Sequence, residues 1–185
     1  MNISDNIWNS ITGNEILRKL YESISQECTF PPRTTLLKAG DVAKKLYFIK
    51  QGSVRLWYHD GKDITLQFFF EGQGVASIES FIRGTPSLFS IETLEPATIL
   101  ACGKEDIFRI AEEIPGLKDE LYKLMANRLI NYTHLFLSRI KDTPQERYKN
   151  LIKEHPEIIK RIPQHYIASY LGITSVSLSR IRNRK

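Results

Sequence analysis

No apolar run in the 185-residue chain approaches the ~20 residues that a membrane-spanning helix needs, so no membrane partner is expected. The opening residues, MNISDNIWNS, lack the basic stretch and apolar core of a secretory leader. Cysteine is scarce. Cys28 and Cys102 stand far apart and match no metal-ligand spacing, so no metal site is expected. Two reduced thiols are favoured over a disulfide, which fits a cytoplasmic chain. There is no glycine-rich phosphate loop and no serine in a nucleophile elbow. The carboxylate pairs Glu112-Glu113 and Glu71/Glu79 read as solvated groups rather than acid–base machinery. No enzyme is expected, no catalytic residue is assigned, and no repeat or low-complexity segment is present.

Hydrophobic residues make up 42% of the chain and charged residues 25%, as in a globular protein of one large or two small domains. The net charge of +5 is unevenly spread. Residues 141–185 carry ten Lys/Arg against four Asp/Glu, a surplus of six, which leaves residues 1–140 near minus one. Such a basic end suits an approach to phosphates.

That end also has the clearest pattern. In Gln164–Asn183, Ile167, Ala168 and Leu171 give a short helix one apolar stripe. Gly172 breaks it, with a backbone free to turn left-handed, and Thr174 is placed to cap a second helix. There only Leu178 and Ile181 need face inward, while Ser175, Val176, Ser179, Arg180 and Asn183 share the other face. Two short helices about a glycine turn form a helix-turn-helix. A small Ala168 lets them cross closely, and short polar groups with one arginine suit a major groove. An ordinary helical hairpin is the alternative.

Upstream, Ile16, Leu17, Leu20, Tyr21 and Ile24 predict an amphipathic helix over 14–24. From Thr34 to about Cys102, runs rich in β-branched and aromatic residues alternate with turn signals at Gly40-Asp41, Gln51-Gly52 and Asp60-Gly61. Strands about every ten residues, without long helices between, predict an antiparallel barrel or sandwich. A long helix follows over 117–140, after Pro115-Gly116. Leu117, Leu121, Met125, Leu129, Tyr132, Phe136 and Ile140 make one stripe, and Leu124, Ile130, Leu135 and Leu137 lie off it. Apolar on more than one side, this helix needs a second partner besides the β domain, and the same helix of another copy would serve. Thr143-Pro144-Gln145-Glu146 then predicts a capped helix start. Tyr148, Leu151 and Ile152 are expected to form the inner face of that helix, and His155-Pro156 its end.

In this order the parts resemble the CRP/FNR family of bacterial transcription regulators, over nearly the whole chain. The resemblance rests on Gly52-Ser53-Val54-Arg55-Leu56, on Thr143 to Arg147, and on Ile167-Ala168, Leu171 to Thr174 and Leu178 to Ile181. It implies an α+β fold: an N-terminal antiparallel β-roll like a cyclic-nucleotide-binding jelly roll, a long dimerisation helix and a C-terminal helix-turn-helix domain. The expected divisions are 1–115 for the roll, 116–141 for the dimerisation helix and 142–185 for a winged-helix-like DNA-binding domain. The chain stops at Lys185 directly after the second helix, so the wing is expected to be absent. A homodimer on two-fold symmetric double-stranded DNA follows from the resemblance, with an effector in the roll and RNA polymerase as a further partner. Leu117, Leu121, Leu124, Met125, Leu129, Tyr132 and Phe136 are the expected dimer contacts. Gln164, Thr174, Ser175, Val176, Ser179 and Arg180 are the expected DNA contacts, with Arg182, Arg184 and Lys185 gripping phosphate.

The departures bear on the ligands. Cyclic-nucleotide binders of the family carry Gly-Glu-Leu and a later Arg-Ser/Thr-Ala. Here Ala76-Ser77-Ile78 and Ser87-Leu88-Phe89 stand in their places, with Glu79 two positions late and Arg83 in a connecting loop. A phosphate buried without its arginine loses a charge-assisted pair, so cAMP is not the expected effector. The effector is unknown, with Val75, Ala76, Ser77, Ile78, Glu79, Ser87 and Leu88 as pocket candidates. One Cys28 cannot hold an iron–sulfur cluster, and His59 reads as a surface residue rather than a haem ligand. Guanine-reading members use Arg, Glu and Arg where this chain has Ser175, Val176 and Arg180, so the half-site should differ. The competing reading is a ligand-sensing or protein-interaction module with a degenerate reader.

Overall fold

The computed structural model describes residues 14–24 and 26–183. The start of the chain, read as no leader, and the phosphate-grip candidates Arg184 and Lys185 lie outside these residues. Helix α1 (Glu15–Ser23) begins at Asn14, whose side chain accepts from the backbone N–H groups of Ile16 and Leu17. Its apolar stripe buries Leu17 and Leu20 against the core.

Among the described residues eight strands follow: β1 (Glu27–Phe30), β2 (Thr35–Leu37), β3 (Lys45–Gln51), β4 (Val54–His59), β5 (Asp63–Phe69), β6 (Gly74–Val75), β7 (Ser90–Thr93) and β8 (Ala97–Gly103). They form two four-stranded antiparallel sheets, ordered β1-β8-β3-β6 and β2-β7-β4-β5. The Asp60-Gly61 hairpin joins β4 to β5, where His59 pairs with Asp63. Gly52 turns β3 into β4 at φ +99°, and a Cβ there would lie 2.6 Å from the Pro96 carbonyl oxygen. Ile49, Val54, Ile91 and Ile99 close the core between the sheets.

Two elements depart from expectation. The first strand begins at Glu27, not at Thr34, and four residues at a sheet edge carry little periodicity. Residues 81–86 are not simply a loop: helix α2 (Ile78–Arg83) occupies their first half and ends on a left-handed Gly84.

Helix α3 (Lys104–Glu113) and the Pro115-Gly116 turn lead into α4 (Leu117–Lys141), a spine of 25 residues and about 37 Å at 1.5 Å per residue. Its first turns lie on the roll: Leu117 is fully buried, Leu121 and Leu124 pack on the same core, and Arg128 donates to the Gly74 carbonyl at 3.0 Å. Helices α5 (Pro144–Glu154), α6 (Pro156–Arg161), α7 (Gln164–Leu171) and α8 (Ser175–Asn183) complete the C-terminal unit. The start of α5 is a full capping box. Glu146 accepts from the Thr143 N–H at 2.8 Å, and Thr143 Oγ1 accepts from the Glu146 N–H at 3.3 Å. Tyr148 and Leu151 are buried, but Ile152 is exposed: it lies off the stripe that its two neighbours share. Among the described residues no helix is long and apolar enough to cross a membrane.

Candidate nucleic-acid interface

Helix α7 ends at Gly172, which takes φ +71° and donates to the Ser169 carbonyl at 3.0 Å, while Ile173 N–H reaches back to the Ala168 carbonyl. Thr174 then caps α8, its Oγ1 accepting from the Ser177 N–H at 3.1 Å. Ile167, Ala168, Leu171 and Leu178 are buried together, and Ile181 packs at their edge. The opposite face of α8 is open. Ser175, Val176, Ser179, Arg180, Arg182 and Asn183 are all exposed, Val176 to 60%. An aliphatic side chain, two hydroxyls, two guanidiniums and an amide thus lie on the open surface of a helix whose other side is anchored. Gln164 is exposed at the first turn of α7, and Thr174 at the turn.

Two arginines fix the far end of α7. Arg139 of the spine donates to the Tyr170 carbonyl, and Arg147 to the Leu171 carbonyl at 3.0 Å and the Asp142 carbonyl at 2.6 Å. Cations at a helix C-terminus meet the negative end of its dipole. Burial pulls the Arg139 pKa down from its usual value.

The C-terminal unit also sits on its own roll. Phe68 and Phe70, from β5 and the turn after it, belong to the same apolar cluster as Tyr148, Leu151 and Leu171. Arg161 forks onto Glu71 at 2.7 and 2.8 Å and onto Glu95 at 3.1 Å. Burial alone would raise the Glu71 carboxyl, but Arg161 and the neighbouring backbone N–H groups hold it below its usual range. At the other end of β5, Ser169 Oγ donates to the Asp63 carbonyl at 2.7 Å and accepts from the Thr65 N–H at 2.9 Å. Arg55, 2% exposed, donates to Glu92 at 2.6 Å and lies between the rings of Trp57 and Tyr166, 4.7 and 4.0 Å from their centroids.

These contacts correct several expectations. Glu71 is not a solvated carboxylate, and Arg147 and Arg161 are engaged within the chain, so the basic surplus is not all turned toward a partner. Nothing in the local pattern marks Arg161 or Glu71, because their partners lie 90 residues apart. Arg55 carried a weak signal, a charge among the apolar residues of a strand. In the expected dimer set, Leu117 has no free surface left, and Leu121 and Leu124 face the roll. Met125, Leu129, Tyr132 and Phe136 are exposed, as are Tyr122, Ile130, Leu137 and Ile140.

The pocket candidates do not converge. Val75, Ala76, Ser77 and Ser87 are buried, whereas Ile78, Glu79 and Leu88 face outward. Ser87 Oγ is held by the Phe89 backbone, and Arg83 pairs with Glu79 on the outside of α2. A cleft of about 850 Å³ lies instead between β5, the spine, α5 and α6, bordered by Phe70, Glu71, Arg139, Arg147, Arg161 and Tyr170. A second, of about 290 Å³, opens beside β2 and Tyr47. Neither is lined by any of the seven candidates. Burial pushes the Cys102 thiol up to about 11, which keeps it protonated at neutral pH. His59 is exposed beside Asp63.

Comparison with known proteins adds to this geometry. The family model for the cyclic nucleotide-binding domain matches residues 27–113. The transcriptional regulatory protein btr of Bordetella pertussis is 23% identical over 185 residues, covering 92% of this chain and 75% of that protein. The anaerobic regulatory protein of Bacillus subtilis is 28% identical over 115 residues, 61% of this chain and 48% of that protein. Among solved structures, a mutant of CooA from Carboxydothermus hydrogenoformans superposes with a TM-score of 0.72 at 17% identity, covering 99% of this chain and 85% of that one.

Proposed function

Since the chain belongs to the CRP/FNR family of transcription regulators, we propose that it binds double-stranded DNA sequence-specifically as a homodimer, through α8. The observation that carries this reading is the division of α8: Leu178 is 1% exposed while Val176 and Arg180, on the other side, are open. Arg180 is the base-reading cation, paired with guanine O6 and N7; Val176 packs a thymine methyl; Ser175 and Ser179 bond base edges or phosphate. Thr174 and Gln164 sit where phosphates pass, and Arg182, Arg184 and Lys185 add affinity without sequence information.

The spine supplies the pairing. Met125, Leu129, Tyr132 and Phe136 form a stripe with spacings of four, three and four, open along its length, and a second copy of the same helix covers it. Residues 1–115 form the effector unit, 116–141 the dimer spine and 142–185 the DNA-binding unit, in a cytoplasmic regulator that is not an enzyme and that also meets RNA polymerase. The effector is a small molecule other than cAMP. Ala76-Ser77-Ile78 and Ser87-Leu88-Phe89 offer no carboxylate or guanidinium for ribose and phosphate, and Arg83 is paired on the surface.

Selection of bound duplexes from a random pool by the purified protein tests the reading. A two-fold symmetric site with half-sites about 10 base pairs apart is expected. Binding without any preferred site would favour the other reading, a degenerate reader, for which the uncharged Ser175 and Val176 speak. Titration with cAMP should show a Kd weaker than about 1 mM.

A further inference from the structure

The C-terminal unit meets the roll along β5: Phe68 and Phe70 enter its core, and the contacts at the two ends of the strand differ in chemistry. At the start of β5 the contact is a stacked arginine and two hydrogen bonds. Arg55 is buried, stacked under Tyr166 and tied to Glu92, and Ser169 clasps the strand edge at Asp63 and Thr65. Past the other end of β5, roughly 20 Å away for a seven-residue strand, the contact is the Arg161 fork. Its three side chains are 29–31% exposed. Glu71 and Glu95 stand on separate turns of the roll, and Glu71 also accepts from Gly52 N–H at 2.8 Å, so the fork grips three turns at once. Arg161 lies 5.0 Å over the Phe70 ring, which the C-terminal core encloses.

Phe68 and Phe70 hold the middle of the junction, and the fork fixes its far end. Neutral hydrogen bonds and a stacked, buried Arg55 respond little to salt, whereas the partly exposed ion pairs are screened and weakened by it. The first is therefore the hinge and the second the releasable end. We infer that the Arg161–Glu71–Glu95 fork is a latch that locks the α7–α8 reader in one orientation on its own roll, and thereby sets the half-site spacing that the paired chains accept. The second half rests on the dimeric DNA reading; the first does not.

The full-length chain carries the test. Spin labels at the exposed positions 51 and 149, on Gln51→Cys and Lys149→Cys, report the distance between roll and reader once Cys28→Ser and Cys102→Ala remove the native thiols. A single narrow distance is expected in this background and a broad distribution after Arg161→Gln. Should Arg161→Gln fail to fold, Glu95→Gln removes one arm of the fork and should broaden the distribution less. In parallel, the selected operator is compared with versions lengthened by two base pairs between half-sites. The parent should lose about tenfold or more in affinity, and the latch variant less than about threefold. An unchanged distance distribution overturns the latch. A broadened one with the parent's spacing preference intact overturns its control of spacing. Failure of the parent to bind any duplex would count against the DNA reading alone, with the distance measurement still deciding the latch.

Discussion

Two surfaces of the C-terminal half treat apolar side chains in opposite ways. Where the reader meets the roll, the side chains of Phe68 and Phe70 complete the core of Tyr148, Leu151 and Leu171, and Arg161, Ser169 and Tyr166 close the edges. Along the outer side of the spine, Leu129 and Phe136 stay 67% and 68% exposed, with Met125 and Ile140 beside them. Exposed apolar stripes of this length on a helix mark an interface. The junction is finished within one chain; the spine leaves its stripe uncovered there.

The sharpest way to break that contrast is to put charge on the open stripe. Leu129→Glu with Phe136→Glu should raise the dimer dissociation constant at least a hundredfold, since an unpaired buried charge costs about 3–5 kcal/mol. The monomer's melting temperature should hardly move, and light scattering reads the mass. Phe70→Ala does the reverse. It leaves pairing intact but should lower stability by about 3 kcal/mol through the cavity in the shared core, as denaturant unfolding would report. Arg180→Ala should cost about 1–3 kcal/mol on the selected site and relax the preference at one base pair, while random duplexes lose much less; competition binding measures both. Thr143→Ala removes one cap and should cost about 1 kcal/mol, visible in the same unfolding experiment.

Acid should loosen the junction and leave the stripe alone. Glu71 has a folded pKa below its unfolded value, so its contribution is complete above the ordinary carboxylate range and lost as pH falls through the lower folded value. Trp57, beside Arg55 at the hinge, is a fluorescent reporter once Trp8→Phe silences the other tryptophan. A signal that changes below about pH 4.5, while the roll stays folded, is expected. Glu71→Gln should remove its own step and leave the part due to Asp63 beside Arg55; a response untouched by Glu71→Gln would contradict the role given to Glu71.

Local signals in the sequence were legible because they are local. Thr143 and Glu146 meet across one helical turn, Asp60-Gly61 sits in its own hairpin, and the spacing of Ile167, Ala168 and Leu171 needs only the period of a helix. What escaped was long-range or short. Arg161 reaches Glu71 across 90 residues of chain, Ser169 reaches Thr65 across 104, and no periodicity encodes either pairing. Strand β1 has four residues and α2 six, too few for a pattern to repeat. The spine stripe lies between these cases: its apolar excess was readable, but only the fold shows that Leu117, Leu121 and Leu124 turn to the roll while Met125, Leu129 and Phe136 do not.

The mass of the complex that the purified chain forms with its selected duplex, measured by light scattering, tests the central claim most directly. Two chains on one duplex is the predicted result. One chain per duplex, or no complex at any salt concentration, would contradict the pairing of exposed α8 helices by the spine.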